Sequence, residues 1–515
     1  MKISIINMFR LVLCVGFVII ENLSSIAQTP MPKHDQDGNL LPLQSYAETL
    51  EKSMDFIIQD DFYKDDPKNL IDTKGIKRPA YFFYGELTPQ GMQFENYFTS
   101  YPAFHHSLYI QTFIKYYIYS GNIDFLQRAV DLADWNIENS TPNNYLYGGM
   151  PYSTCDKKKM GGNADGDAVM TDKAAIMAGA YVDLYHITNS KKYLDAAITV
   201  ANSLAKNQRP DGSWPFRVNP RTGEVKEPYT SSLIYAVNLF EALNIALGND
   251  FYKKNRDMAF GWIMNNPVRT AEWRGFYEDV PAGNDNNRTN WDCIDVIHYL
   301  CKHKDEDPGY LQTAIRLRDY IQDSIISEGK TFIDREHDYQ PAEGLREQKI
   351  CFATMGVHSA HLAVMLTDLY RATGEETYLK RAIQTMNFVT YFMTPDGRIK
   401  TSLNDEQCWF SCHLGVDLFL LDFMSSFPET AGNEENHIVS CSSPVTQVKY
   451  DEKEVAYTTK LKSRDALKLN FKPKKIFVNG KVLSKGIDAS GNGWKFDTST
   501  MLLSIRHESG SVNIH

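Results

Sequence analysis

One short pattern recurs along this chain and restricts what it can fold into. Phe125-Leu126 with Ala129, Tyr193-Leu194 with Ala197, Tyr310-Leu311 with Ala314, and Tyr378-Leu379 with Ala382 each follow a polar turn containing Gly, Asn or Asp. A weaker copy runs from Gly248-Asn249-Asp250-Phe251 to Ala259. Self-similarity of this kind marks a repeat architecture. A spacing of about 60–70 residues gives each repeat two long helices and a loop. Between the copies lie six further apolar stretches with helical periodicity, starting near Tyr101, Met170, Tyr229, Trp291, Ala353 and Phe410. Thr171-Asp172-Lys173-Ala174-Ala175-Ile176-Met177-Ala178-Gly179-Ala180 is representative, and its small residues permit close helix contact. Helices apolar nearly all round belong inside, and the signature helices, richer in Lys, Arg and Asp, face solvent. Six inner helices alternating with an outer set predict a mainly α chain, an (α/α)6 toroid, over residues 28–430. An open helical solenoid would not require every second helix to be so apolar.

Both ends depart from this pattern. Lys2 and Arg10 precede an apolar run at residues 11–20, and Ser25-Ile26-Ala27 supplies the small residues that signal peptidase needs. Residues 1–27 are therefore expected to be a secretory signal, with the protein periplasmic or secreted. Leu11, Val12 and Leu13 are too bulky to precede a lipidated Cys14. No later stretch approaches the roughly 20 apolar residues of a membrane span. After the polar linker 429–436, alternation of period two takes over, with strands expected over 445–457, 466–471, 475–482 and 501–505. Val478-Asn479-Gly480-Lys481 signals a tight hairpin. Residues 437–515 are expected to form a small β-sandwich with a structural role.

A net charge of −10 over 515 residues excludes a basic nucleic-acid-binding face. It leaves room for a locally basic pocket. Seven cysteines remain beyond the signal (Cys155, Cys293, Cys301, Cys351, Cys408, Cys412 and Cys441), with no Cys-x-x-Cys pair, and buried free thiols are expected.

The starts of the inner helices are the place to look for chemistry, because helix N-termini bring unpaired N–H groups and positive potential to one rim. That rim collects Tyr101, His105 and His106; Asp165, Asp167 and Asp172; Tyr229, Thr230 and Ser231; Asn290, Trp291 and Asp292; Cys351 and His358; Trp409, Ser411 and His413. Loop tryptophans Trp214, Trp273, Trp291 and Trp409 suit the C–H face of a sugar ring. Arg217, Arg274, Arg288 and Arg335 lie in interhelix loops, where a guanidinium pairs with a carboxylate or sulfate. An acidic saccharide is thus the expected partner. His105, His106, Tyr101, Tyr229 and His413 are the candidate acid–base groups for removing the C5 proton of a uronate and protonating the group that leaves C4. Substrate contacts are expected from Trp214, Arg217, Arg274, Arg288, Trp291, Asp292, Arg335, His358 and Trp409. A glycosidase would use paired carboxylates instead, and Asp165, Asp167, Asp172, Asp292 and Glu406 are available. No cofactor is expected. Asn163, Asp165 and Asp167 alternate as in a hard-cation loop for structural calcium, and His358 with His361 is a weaker metal pair. There is no nucleotide-binding loop and no serine-nucleophile elbow.

Trp214-Pro215-Phe216-Arg217 followed by Glu227-Pro228-Tyr229-Thr230-Ser231, with Tyr101-Pro102 ahead of an inner helix, resembles segments of the glucuronyl C5-epimerases. The wider resemblance is to toroid polysaccharide lyases and to the ulvan oligosaccharide dehydratase of marine flavobacteria. It implies a helical toroid with a β-rich satellite that abstracts the C5 proton of glucuronate. The large N-terminal β-domain usual in the epimerases is not found ahead of this toroid, which favours an oligosaccharide or chain-end substrate. The aspartate-bearing motif of the unsaturated glucuronyl hydrolases is not evident. The function expected from this resemblance is a carbon–oxygen lyase or dehydratase on glucuronyl residues, with a glucuronyl hydrolase as the alternative.

Overall fold

The computed structural model describes residues 30–58, 86–89, 91–93, 102–153, 168–227, 229–271, 273, 289–324, 326–328, 338–349, 353–403, 407–487 and 491–515. The expected signal at 1–27, Tyr101, Cys155, Asn163, Asp165, Asp167, Arg274, Arg288, Arg335, Cys351 and Glu406 lie outside these residues.

Twelve α-helices run through the first part of the described chain: α1 (Tyr46–Ile58), α2 (Pro102–Ser120), α3 (Ile123–Glu138), α4 (Thr171–Thr188), α5 (Lys191–Asn207), α6 (Ile234–Leu247), α7 (Lys253–Ile263), α8 (Trp291–Lys302), α9 (Tyr310–Ser324), α10 (Gly356–Thr373), α11 (Glu376–Val389) and α12 (Phe410–Ser426). The even-numbered helices pack on one another in ring order, and α12 closes the ring against α2. Each odd-numbered helix lies outside the ring, α1 on α12 and every other on the helix before it. This is the (α/α)6 toroid. The pattern that betrayed it now has a reason. Phe125 and Tyr193 are buried, and Ala129, Ala197, Ala314 and Ala382 are wholly so, small enough for an outer helix to lie close on its inner partner.

Connections follow a simple asymmetry. Short links follow the inner helices, such as 121–122, 189–190 and 374–375, whereas long segments precede them. Asn189, Gly248 and Gly374 end α4, α6 and α10 in the left-handed conformation, their N–H groups bonding the carbonyls of Tyr185, Asn244 and Tyr370 four residues back. The inner helices therefore start at one end of the barrel, beneath the long segments. One start differs from expectation. Residues 229–232 form an extended strap, with the Ser231 N–H bonded to the Trp214 carbonyl, and α6 begins only at Ile234.

The C-terminal region is a sandwich of antiparallel sheets. Its strands are β1 (His437–Cys441), β2 (Val445–Asp451), β3 (Glu454–Thr459), β4 (Ser463–Lys468), β5 (Ile476–Val478), β6 (Lys481–Val482), β7 (Gly486–Ile487), β8 (Gly493–Asp497), β9 (Leu502–His507) and β10 (Gly510–Ile514). The sheet orders are β2-β3-β10-β5-β6 and β7-β8-β9-β4-β1. Alternating side chains from both sheets meet in one apolar core containing Val455, Leu467, Trp494 and Val512. The stretch 445–457 is a hairpin rather than one strand, because Asp451 and Glu454 pair across a polar turn. Asn479 and Gly480, both with positive φ, form the predicted tight turn between β5 and β6. Cys293, Cys301, Cys408 and Cys412 are buried free thiols and Cys441 is half-buried. No helix among the described residues is long and apolar enough to cross a membrane.

Within the sandwich, Asp465 accepts hydrogen bonds from Tyr457 at 2.5 Å and His507 at 2.7 Å, and both side chains of the Asp465–His507 pair are buried. Burial opposes both charges. The His507 bond and the Ser463 and Tyr457 hydroxyls nonetheless hold Asp465 below the usual carboxylate range, and Asp465 holds His507 above the usual imidazole range. The lowered acid stabilises the fold above its unfolded pKa, an effect lost as pH falls through the folded value. The raised imidazole does so below its unfolded pKa, and that stability is lost as pH rises through the folded value. Protection of the β9 amides, taken relative to their intrinsic exchange rate at each pH, is therefore expected to be greatest at mildly acidic pH and to fall on either side. Asp465→Asn should flatten this dependence.

Candidate active site

A cavity of about 440 Å³ occupies the middle of the inner ring, and all six of its helices give it chemically active or aromatic side chains, Asp183 and His186 coming from α4. Phe104 comes from α2, Tyr235 from α6, Trp291 and Asp295 from α8, His361 from α10 and Phe419 from α12. Helical geometry explains the selection. Trp291, Asp295 and His298 recur at three- and four-residue spacing on α8, as do His361, Met365 and Asp368 on α10, so each set forms one stripe.

At the near end, one carboxylate organises two other groups. Asp295 Oδ2 accepts the Tyr235 phenol at 2.7 Å, and Oδ1 lies 3.2 Å from His361 Nε2. His361 Nδ1 is buried with no hydrogen-bond partner among the described residues, which leaves a lone pair when Nε2 holds the proton. The His361 ring stacks on Phe419 and lies 4.6 Å from the Trp291 ring. On the other side of the phenol, Asp292 Oδ1 lies 3.5 Å away, its carboxyl buried and pushed up to about 7 by that burial. Burial, together with the Asp295 and Asp292 carboxylates, holds Tyr235 well above the usual phenol range, so it keeps its proton. Next to this group, at the start of α4, Lys173 lies 3.9 Å from Asp172 and 4.7 Å from the centre of the Phe104 ring.

Toward the far end the walls carry further charges. Lys115 and Asp422 pair at 2.5 Å, and His298 Nδ1 lies 2.6 Å from Asp368. Asp183 is open to cavity water yet walled by protein, which pushes it up to about 6 against the pull of Lys115 and Lys302. Burial alone would pull the His298 imidazole down. Its bond to Asp368, and the carboxylates of Asp368, Asp422 and Asp295, leave it above the ordinary value.

The residues expected from sequence fall into three groups. Trp291 lines the cavity, and Asp292 and His358 stand beside it, His358 donating from Nδ1 to Asn290 Oδ1 at 3.1 Å. A rim group consists of His105, Arg217, Tyr229 and Trp409. Arg217 pairs with Glu227 at 2.6 Å beside the strand that meets Met170, and Tyr229 is half-buried on the strap next to Phe216. Trp409 is half-buried at the start of α12. His105 is buried next to Lys173, and burial first, then His106 and Lys173, push its imidazole down to about 3.

The third group is built into the core. Trp214, expected as a sugar platform, is fully buried with its indole N–H bonded to the Leu204 carbonyl, and Trp273 packs on Tyr320. His106, expected as an acid or base, accepts from Asn136 at 2.8 Å and packs against Trp135. His413, expected as the acid, has no exposed surface. It accepts from the Ile399 N–H and lies 2.6 Å from Ser53 Oγ, and burial pushes it down to about 3. These four side chains are enclosed by protein and offer a ligand nothing. Sequence reading passed over Tyr235, Asp295, His298, Lys115 and Asp422. The signal that would have found them is the polar stripe running along otherwise apolar helices.

No family model matches the sequence, and no curated protein matches it. Solved structures do share the fold. Cellobiose 2-epimerase from Spirochaeta thermophila DSM 6192 aligns with a TM-score of 0.56 over 74% of this chain and 96% of that one, at 11% identity. D-mannose isomerase aligns at 0.54 over 73% and 97%, with 14% identity. A family 76 glycoside hydrolase from a bovine Bacteroides thetaiotaomicron strain aligns at 0.51 over 75% and 78%, with 12% identity. At such identities the likeness establishes the toroid fold alone.

Proposed function

We propose that this protein is a carbohydrate-active enzyme working by proton transfer, a carbon–oxygen lyase or dehydratase on glucuronyl residues of an acidic saccharide. The observation that supports it best is the single carboxylate of Asp295, which holds a phenol and an imidazole together on the wall of one cavity. β-Elimination needs a base for the C5 proton and an acid for the oxygen leaving C4. His361 takes the C5 proton as its C–H bond breaks, the C4–C5 double bond forms, and the C4–O bond breaks as Tyr235 gives its proton to the departing oxygen. His361 is then one proton richer and Tyr235 one poorer, and Asp295, bonded to both, carries the proton back. Trp291 offers an aromatic face to the sugar ring, and Lys173, beside Asp172 and Phe104 at the near end, is the cation for the substrate carboxylate. Arg217, and Arg274, Arg288 and Arg335 outside the described residues, remain candidates for the same task. Toroids in solved structures that isomerise or epimerise sugars are consistent with this chemistry.

A second reading, glycoside hydrolysis, is favoured by one observation: Asp292 and Asp295 approach the same phenol from two sides. The phenol between them supports elimination instead. Incubation with glucuronate-rich oligosaccharides, read by ultraviolet absorbance and product mass, separates the two. A new chromophore with loss of water identifies a dehydratase, and a new chromophore with chain scission identifies a lyase. Scission with uptake of water and no chromophore would replace elimination by hydrolysis.

A further inference from the structure

The far half of the cavity takes no part in the proton transfers above, yet it is built as carefully as the near half. Ile118 and Ile187 line it from the last turns of α2 and α4. Beside them are two residues from outside the toroid, Pro444 and Val445, where β2 of the sandwich begins. We propose that this far half, floored by the Pro444–Val445 corner, is a subsite that receives the end of an acidic saccharide chain, so that the second domain sets how many sugar units can enter. The inference rests on the saccharide reading of the near half and adds where the chain ends.

Three observations support it. First, the depth suits a chain end. From Phe104 to Ile118 the cavity follows α2 for about 21 Å at 1.5 Å per residue, and its volume lies within the roughly 300–1,000 Å³ of ligand pockets. Second, apolar walls there carry a few polar groups able to meet sugar hydroxyls and carboxylates. Lys115 has ammonium donors beyond its bond to Asp422. Among the described residues, His298 Nε2 has no partner while Nδ1 is occupied by Asp368, and the side chain is 53% exposed. Third, the floor is held firmly. His437 of β1 stacks on Tyr119 at 3.9 Å and its Nδ1 lies 3.0 Å from the Tyr119 carbonyl. Tyr450 of β2 donates its hydroxyl to the Ile118 carbonyl at 2.6 Å and accepts from the Ile438 N–H at 2.8 Å. Ile118 and Val448 pack into both the toroid core and the sandwich core. A domain that served only as a support would not need to present side chains to the cavity.

The test uses the full chain and two variants. Val445→Trp fills the floor, and His298→Gln, at a half-exposed position that should not disturb folding, removes the free imidazole donor. Calorimetry measures binding of glucuronyl mono-, di- and tetrasaccharides, and early product sizes are read from a long polymer. Val445→Trp is expected to weaken the di- and tetrasaccharide at least about tenfold and leave the monosaccharide unchanged. His298→Gln should show the same length selectivity with a loss of about tenfold or less, the scale of one ordinary hydrogen bond. Wild-type enzyme should release a single short product from the start. Unchanged length preference in His298→Gln, or a mixture of internal fragments at the earliest times, overturns the subsite whatever the stability of Val445→Trp. Equal wild-type affinity for neutral glucosyl counterparts would instead overturn the acidic-sugar part, with the length dependence judged separately. Length-selective binding without any new double bond would overturn elimination and leave the subsite standing.

Discussion

Tyr235→Phe should lower kcat by about a hundred- to ten-thousand-fold, the span of a positioned acid or base, with KM little altered. Phenylalanine keeps the ring and deletes only the hydroxyl that Asp295 holds at 2.7 Å and Asp292 approaches at 3.5 Å. Nothing else in the cavity wall needs to move, so the melting temperature should stay close to that of the parent. A variant retaining near-full kcat would remove the phenol from the chemistry. Asp292→Asn adds a complementary check. The folded protein holds the Asp292 proton up to about pH 7, well above its ordinary value of 3.8. For an acid raised in this way the folded state binds more protons than the unfolded one between those values, so stability falls as pH rises across that interval. Asparagine removes this penalty. Asp292→Asn should therefore melt higher than the parent at alkaline pH, and a variant that melts no higher would contradict the burial argument.

Two tryptophans that look alike in sequence should behave in opposite ways. Trp214→Ala is expected to cost about 3–5 kcal/mol of stability, the range for removing a large buried aromatic ring. Its indole is fully buried against Phe240 and its N–H is bonded to the Leu204 carbonyl. Loss of that ring would also loosen the strap that leads into α6, because the Trp214 carbonyl accepts from Ser231. Trp291→Ala removes a half-buried ring that faces the cavity beside His358, His361 and Phe419. Its main consequence should be weaker saccharide binding, with a smaller fall in melting temperature. Chemical denaturation and ligand titration of both variants measure the contrast. Equal destabilisation by the two would mean that Trp291 too is chiefly a core residue.

The same contrast explains how far each part of the site was legible. Trp291 is legible as a helix start because the apolar periodicity of α8 begins there. His413 stands at a helix start by the same logic, yet its side chain turns outward to Ser53 of α1, a residue 360 positions earlier in the chain. Likewise His106 turns to Asn136 of α3. A helix start offers several directions within one turn, and a linear reading of neighbours cannot say which points down the barrel axis. Tyr235 and Asp295 were passed over because their positions within α6 and α8 look like ordinary interior positions until the ring is closed. The sandwich was read as a mere support, since nothing local in Pro444 and Val445 indicates that they meet the ends of α2 and α4.

What the sequence determined by itself was the architecture. An aromatic-Leu pair followed by Ala on four of the outer helices, and inner helices apolar on nearly all sides, are satisfied together by two concentric layers, because both are statements about local periodicity and burial. What only the tertiary structure decided was which polar side chains share a space. Asp295 meets Tyr235 across a gap of 60 residues and His361 across another 66, and ring closure, not spacing along the chain, brings them within hydrogen-bonding distance.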